Sequence, residues 1–475
     1  MKAPTATLIL AGVAAGTSIA YKGSVAFSAQ ELAADSAPNA VSMSKLMSAK
    51  MSQRAQHRAD GAYDAGRYAA AATSAKCSNG KAGDYSCRNI DLAGFLSHED
   101  TGSSTREGND IWAWTSSTGR EFGLVGQTDG TAFVEVLKDG SLQYIGRLPT
   151  QDTSNIPNDI WRDIKTIGNY AYIGADTGGS SDNVRHGVQV FDLTKLLNVD
   201  LSSPTTFKTD SDLTAHFDGF GFSHNIVTNE ATNTITAVGT MRTGTCKGGL
   251  WMIDVSDPSN PTTSGCYSGD GYTHDAQCVN YNGPDKSYKG REICFASNED
   301  TLTIVDVTDR KSPKMLSKTT YKGASYTHQN WFADEGMRYL LLDDEQDEMN
   351  KAGPAADQKT TTYIVDVSSL AKPVFTGVYK SPAKAIDHNQ YVVNGISYQA
   401  NYGSGLRMVD VSSVTNDPTG AGFSEAGFFD VHPDDDASGG EATFHGAWSV
   451  YPWLKSGYLL VNSIERGVFS VKYTG

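Results

Sequence analysis

The sequence predicts an all-β protein: a seven-bladed β-propeller closed by an N-terminal strand and preceded by a signal and a helical or flexible leader. Three observations predict it. A short apolar run ending in an acidic residue and one more apolar residue recurs along the chain, and a polar pair, most often opening with histidine, recurs upstream of each run. The 475 residues also include 48 Gly and 22 Tyr, which suits many short strands joined by tight turns.

Taken in order, the chain opens on Met1-Lys2 and an apolar stretch from Thr5 to Ala20, the pattern of a secretory signal cleaved after Ala20 or Ala29. Residues 1–29 are therefore read as signal, 30–76 as an Ala/Ser/Met-rich leader outside the main domain, and 77–475 as the propeller. The six cysteines fall as three local couples, Cys77 with Cys87, Cys246 with Cys266 and Cys278 with Cys294. Proximity favours those disulfides without excluding others, and disulfides agree with export. No Asn-x-Ser/Thr sequon adds to that argument. With 39 Lys+Arg against 54 Asp+Glu the net charge is −15, which excludes non-specific binding to nucleic acid.

The apolar-acidic marker reads Phe133-Val134-Glu135-Val136, Val190-Phe191-Asp192-Leu193, Met252-Ile253-Asp254-Val255, Ile304-Val305-Asp306-Val307, Ile364-Val365-Asp366-Val367 and Met408-Val409-Asp410-Val411. A degenerate copy, Val468-Phe469-Ser470-Val471, follows. These are buried strands ending in turns. The upstream marker begins at Asn109, Arg162, His224, His274, His328, His388 and His445, a mean period of about 56 residues. One strand fits between the two markers and another after the second, giving four strands per repeat and seven repeats. The last repeat lacks its fourth strand, and Leu92-Ala93-Gly94-Phe95-Leu96 supplies it, closing the ring and removing exposed edges. Six or eight blades, or stacked β-sandwiches, are the competing architectures.

Cys77…Cys87-Arg88-Asn89-Ile90-Asp91-Leu92, Asn109-Asp110-Ile111-Trp112, Trp161-Arg162-Asp163-Ile164-Lys165, Gly271-Tyr272-Thr273-His274-Asp275-Ala276-Gln277-Cys278 and Leu342-Asp343-Asp344-Glu345 together resemble the choice-of-anchor B family, whose members carry LVIVD repeats. The resemblance runs from about Cys77 onward. It implies a secreted or surface-displayed propeller and leaves the biochemical activity open. Bacterial members often add a C-terminal anchor; none follows Lys472 here, so a soluble product is expected, and a monomer is expected as well.

Inner strands of a propeller line its axis, so the upstream marker forms a ring carrying His224, His274, His328, His388 and His445. Converging imidazoles can bind Cu, Zn, Fe or Mn, with Asp110, Asp163, Asp275, Gln329 and Asn389 orienting them from behind. The plainer reading is a structural ring of histidines bonded to neighbouring blades, and Arg162 on the same ring would repel a cation. Asp343, Asp344, Glu345 and Asp347 form a possible Ca²⁺ loop, for which a solvated acidic loop is the plainer alternative. Asp434-Asp435-Asp436 and Asn298-Glu299-Asp300 share that ambiguity. Trp112, Trp331, Tyr391 and Trp448 can stack on sugars or pack between blades. No nucleophile elbow, P-loop, dinucleotide fingerprint or HExxH motif occurs. The expected role is extracellular binding or scaffolding of a protein or carbohydrate through the channel mouth and loops. The alternative is a metal-dependent extracellular lyase or oxidoreductase using the histidine ring.

Overall fold

The computed structural model describes residues 27–151, 160–176 and 186–475. The signal expected over residues 1–29 lies almost wholly outside them. Seven antiparallel blades have their innermost strands at Gly108–Thr115, Trp161–Ile167, Asn225–Asn229, Asp275–Asn280, Thr327–Phe332, Asn389–Val393 and Ala447–Tyr451. Each recurring apolar run is the third strand of its blade. The seventh blade is completed by Ile90–Ser97, which pairs antiparallel with Gly467–Tyr473. Ring closure by an N-terminal strand is thus the observed topology, and Phe95 packs against Phe469 with ring centroids 4.7 Å apart.

The repeating acid has a local cause. In five blades its carboxylate accepts the main-chain N–H two residues on: Asp192 from Thr194, Asp254 from Ser256, Asp306 from Thr308, Asp366 from Ser368 and Asp410 from Ser412, all at 2.7–3.0 Å. The strand therefore ends in a turn that its own last side chain closes. One residue before that acid, the pairing with the fourth strand slips at Met252/Ile253, Ile304/Val305, Ile364/Val365 and Met408/Val409. A bulge at the same place in successive blades adds twist where the sheet must splay outward.

All three disulfides join the neighbouring cysteines, Cys77–Cys87, Cys246–Cys266 and Cys278–Cys294. The last couples directly opposed residues of adjacent strands in blade four.

The leader does not stand clear of the ring, as the sequence had suggested. It forms a helix, Met43–Ala59, whose Met43, Leu46, Met47 and Lys50 recur on one face and are buried. That face packs on Tyr272, Tyr326, Ile386, Tyr402 and Phe444, residues from loops at the end of the ring where the inner strands begin. Leu32 is fully buried in the core between blades four and five. Arg54 and Arg58 both pair with Glu107, at 2.5 and 2.7 Å. The Ala/Ser-rich composition disguises this docking, because three apolar side chains and one lysine carry most of it.

Candidate functional site at the capped axis

Four of the five expected histidines form a continuous arc under the leader helix. Ring centroids lie 4.4 Å apart for His224 and His274, 4.1 Å for His274 and His328, and 4.3 Å for His328 and His388. Each is held through Nδ1. His274 bonds to the His328 carbonyl at 2.9 Å and His388 to the Trp448 carbonyl at 2.6 Å, so both Nδ1 atoms must donate. His224 meets the Asp176 carboxylate at 2.8 Å and His328 meets Asp343 at 3.1 Å. This pins the tautomer and leaves Nε2 as the lone-pair nitrogen. One ring nitrogen of His274, one of His328 and a Glu345 oxygen lie within 4.8 Å of one another, and Nε2 of neither histidine has a hydrogen-bond partner. Burial pushes His274, His328 and His388 well below the ordinary imidazole value, with Lys50 adding to the effect.

Lys50 stands in the middle of this site. Its ammonium is 2.5 Å from Glu345 Oε1, to which Tyr402 also donates its hydroxyl. Aromatic rings surround it, with centroids at 5.0 Å for Trp448, 5.3 Å for Phe444, and 5.9 Å for both Trp161 and Tyr402. The helix thereby inserts a cation into a cage of π faces closed by a carboxylate. Burial lowers the Lys50 pKa and Glu345 opposes that.

His445 is not on the arc. It stacks on His432 at 3.9 Å, bonds to the Thr443 hydroxyl at 2.8 Å and lies 3.9 Å from Asp435. His57 of the leader and Glu465 complete that separate group. Burial raises Glu465 to about 7. Arg162, at the ring position of blade two, turns away to the Gln127 carbonyl and to His186.

The five residues expected to orient the imidazoles instead tie blade to blade. Asp110 accepts the Ile164 N–H at 3.0 Å and Asp163 the Ile226 N–H at 2.6 Å. Asp275 bonds to Gln329, Gln329 accepts the Gln390 N–H, and Asn389 donates to the Trp448 carbonyl. They sit one residue past the ring position, and Asp110, Asp163, Asp275 and Gln329 reach the next blade without touching a ring histidine, whereas Asn389 shares the Trp448 carbonyl with His388.

The acidic run is buried rather than solvated, and its members divide. Asp343 holds His328, Glu345 holds Lys50, and Asp344 accepts the N–H groups of Ser325, Tyr326 and Gln346 and the Tyr321 hydroxyl. Asp347 faces Glu348 and Asp387. Asp387, three residues after the blade-five strand Val374–Lys384, had no signal in the sequence.

Further along the axis, Trp112, Trp331 and Tyr391 meet Tyr451 and Trp453 around a cavity of about 320 Å³, with Lys165, Asp275 and Gln329 among its polar lining. These aromatics line the cavity and also pack on one another between blades, Trp331 on Tyr391 at 5.0 Å and Trp112 on Tyr391 at 5.7 Å between ring centroids. Trp448 belongs to the Lys50 cage.

A family model described as the LVIVD repeat matches residues 161–179, 244–268 and 355–381. No curated protein matches the chain. Among solved structures, the chain is similar to a protein from Lactobacillus plantarum at 13% identity, covering 75% of this chain and 89% of that one with a TM-score of 0.45. It is similar to the computationally designed Ika8 protein at 10% identity, covering 76% and 93% with a TM-score of 0.40. A functionally unknown protein from Desulfotomaculum acetoxidans DSM 771 shares 8% identity over 64% of this chain and 83% of that one, with a TM-score of 0.42. Among the described residues no helix is long and apolar enough to cross a membrane. The chain is a seven-bladed β-propeller carrying LVIVD repeats.

Proposed function

We propose that this protein is a secreted binding propeller whose axial pocket recognises the ammonium of a basic helical segment, a place taken in cis by Lys50 of its own leader. The observation that carries the reading is the Lys50 side chain, 5% exposed, paired with Glu345 and ringed by four aromatic groups. A buried lysine loses hydration worth several kcal/mol, and carboxylate and π faces together are the chemistry that offsets it. The three disulfides agree with an extracellular setting. The partner is then an extracellular protein presenting a lysine one turn after apolar positions on the same helix face, as Lys50 follows Met43, Leu46 and Met47.

A second reading rests on the unpartnered Nε2 atoms of His274 and His328 beside Glu345, a donor set suited to Zn, Mn, Fe or Cu. An ion there competes with the Lys50 ammonium for Glu345. The two readings make opposite demands on one residue. With a protease site placed in the turn Gly61–Gly66 of the full chain and cut, a fluorescent peptide of residues 27–60 should exchange into the pocket. Lys50→Met in that peptide should weaken binding at least ~10-fold. Equal affinity of the two peptides would remove the binding reading. Zinc uptake that appears only in the Lys50→Met full chain, and disappears with His274→Ala/His328→Ala, would establish the metal reading in its place.

A further inference from the structure

Behind the axial pocket, blade five and the loop into blade six bring three carboxylates together without a cation side chain between them. Asp347 and Glu348 lie on the single turn that follows the strand Tyr339–Asp344, and Asp387 lies two residues before the inner strand of blade six. One oxygen from each lies within 4.8 Å of the others. All three are buried, at 0%, 0% and 2% exposure.

Their hydrogen bonding is lopsided in a consistent way. Asp347 Oδ2 accepts from the Tyr363 hydroxyl at 2.7 Å, and Glu348 Oε1 accepts from the Thr361 N–H at 2.9 Å. The second oxygen of each, Asp347 Oδ1 and Glu348 Oε2, has no donor outside the pair, the two carboxyl groups lying within hydrogen-bonding reach of each other. Neither oxygen of Asp387 has a well-formed hydrogen bond, although the Asp344 N–H is close enough to act on it. Asp344, next in sequence, differs sharply: four donors satisfy it. The nearby ammonium of Lys380 is already committed to Asp357, the Pro354 and Lys359 carbonyls and the Thr361 hydroxyl. So two carboxylates are each fixed by one oxygen and offer the other, and a third offers both, inside the protein.

A bare buried carboxylate costs several kcal/mol, and three in contact add mutual repulsion. Protonation or a cation can remove that cost. All-oxygen donors select a hard cation, and Ca²⁺ takes carboxylate oxygens at about 2.3–2.6 Å, a radius compatible with oxygens up to about 4.8 Å apart. We propose that Asp347, Glu348 and Asp387 form a Ca²⁺ site that locks the blade-five turn to the entrance of blade six. The site is separate from the axial donors, because it uses neither the histidines nor Glu345. Through Asp343 and Glu345 on the same stretch of chain, the ion would steady the floor of the axial pocket.

The test uses the full chain, dialysed against EDTA and then given CaCl₂ alone. One Ca²⁺ per chain by equilibrium dialysis and a rise of several degrees in melting temperature are expected. Asp387→Asn should cut bound Ca²⁺ at least tenfold while remaining folded without Ca²⁺, since it removes one repelling charge. His274→Ala/His328→Ala should keep full Ca²⁺ binding, which separates this site from the axial one. No Ca²⁺ uptake by folded wild-type chain, or equal uptake by Asp387→Asn, overturns the proposal; in the first case the carboxyl groups share protons instead.

Discussion

Glu465 illustrates how much a single buried group can shape this protein. It accepts the Gly446 N–H at 3.0 Å and sits 3.7 Å from His57 and 4.0 Å from His432, yet burial raises its pKa to about 7. A carboxyl raised in the folded state contributes stability that is present below its unfolded value of 4.5 and lost as pH rises through about 7. Glu465→Gln removes that loss. The variant should match wild type near pH 5 and exceed it at pH 8 by about 2–3 kcal/mol in urea denaturation. A constant difference across that range would show that His57 and His432 hold the carboxylate charged. At this scale the sequence was legible where spacing carried the message: four histidines meet because they open successive inner strands. His445 has the same spacing and still leaves the arc, because His432 and Thr443, on the loop before it, capture the ring. Asp387 was invisible, since one aspartate before a histidine has no pattern of its own.

Between elements, the joints between blades are as regular as the blades. Opposite the residue before the bulge stands Gly265 in blade three and Gly377 in blade five, where an added Cβ would meet the Arg310 and Thr419 carbonyl oxygens at 1.9 and 2.3 Å. Those carbonyls belong to the neighbouring blade. Blade four has Ser317 there, and its hydroxyl donates to the Leu370 carbonyl of blade five at 2.7 Å. Gly265→Ala should therefore cost about 2–3 kcal/mol by forcing two blades apart, whereas Ser317→Ala should cost about 1 kcal/mol, one hydrogen bond. Equal losses in urea denaturation would show that the blade contact yields. The strands themselves were readable from the alternating β-branched runs and their closing aspartates. The leader helix was readable only as a helix or coil, because docking depends on which loops present Tyr326, Ile386 and Phe444 beneath it.

For the molecule as a whole, many buried titratable groups set one stability profile. Burial raises Asp110 to about 8 and Asp275 and Asp430 to about 7. Those contributions are lost as pH rises toward 8. Burial lowers His98 to about 4 and His432 to about 3, with the axial histidines also well depressed. A depressed histidine contributes stability that is full above 6.5 and lost as pH falls below it. Calcium-free protein should thus lose melting temperature steadily from about pH 6.5 to 8.5 and gain nothing further below about 6.5. A melting temperature that climbs from 6.5 to 8.5 would mean that ion pairs, not burial, govern these carboxyls. The charge of −15 is then partly a sum of groups that resist ionising inside the fold.

Seven blades, their strand order, the N-terminal closure and the three neighbouring disulfide couples were the arrangement that repeating short-range spacing favoured: a run of β-branched residues, an aspartate that closes its own turn, cysteines a hairpin apart; the closed ring selected it over other blade counts and pairings. The tertiary structure alone decided what the axis holds. Whether Lys50 meets Glu345, whether Asp347 and Glu348 meet Asp387, and whether a histidine joins the arc depend on residues far apart in the chain and on loops without a repeating pattern. Repetition encodes the scaffold many times over, while each contact at the site is encoded once, by the closure of the ring and the docking of a helix across its mouth.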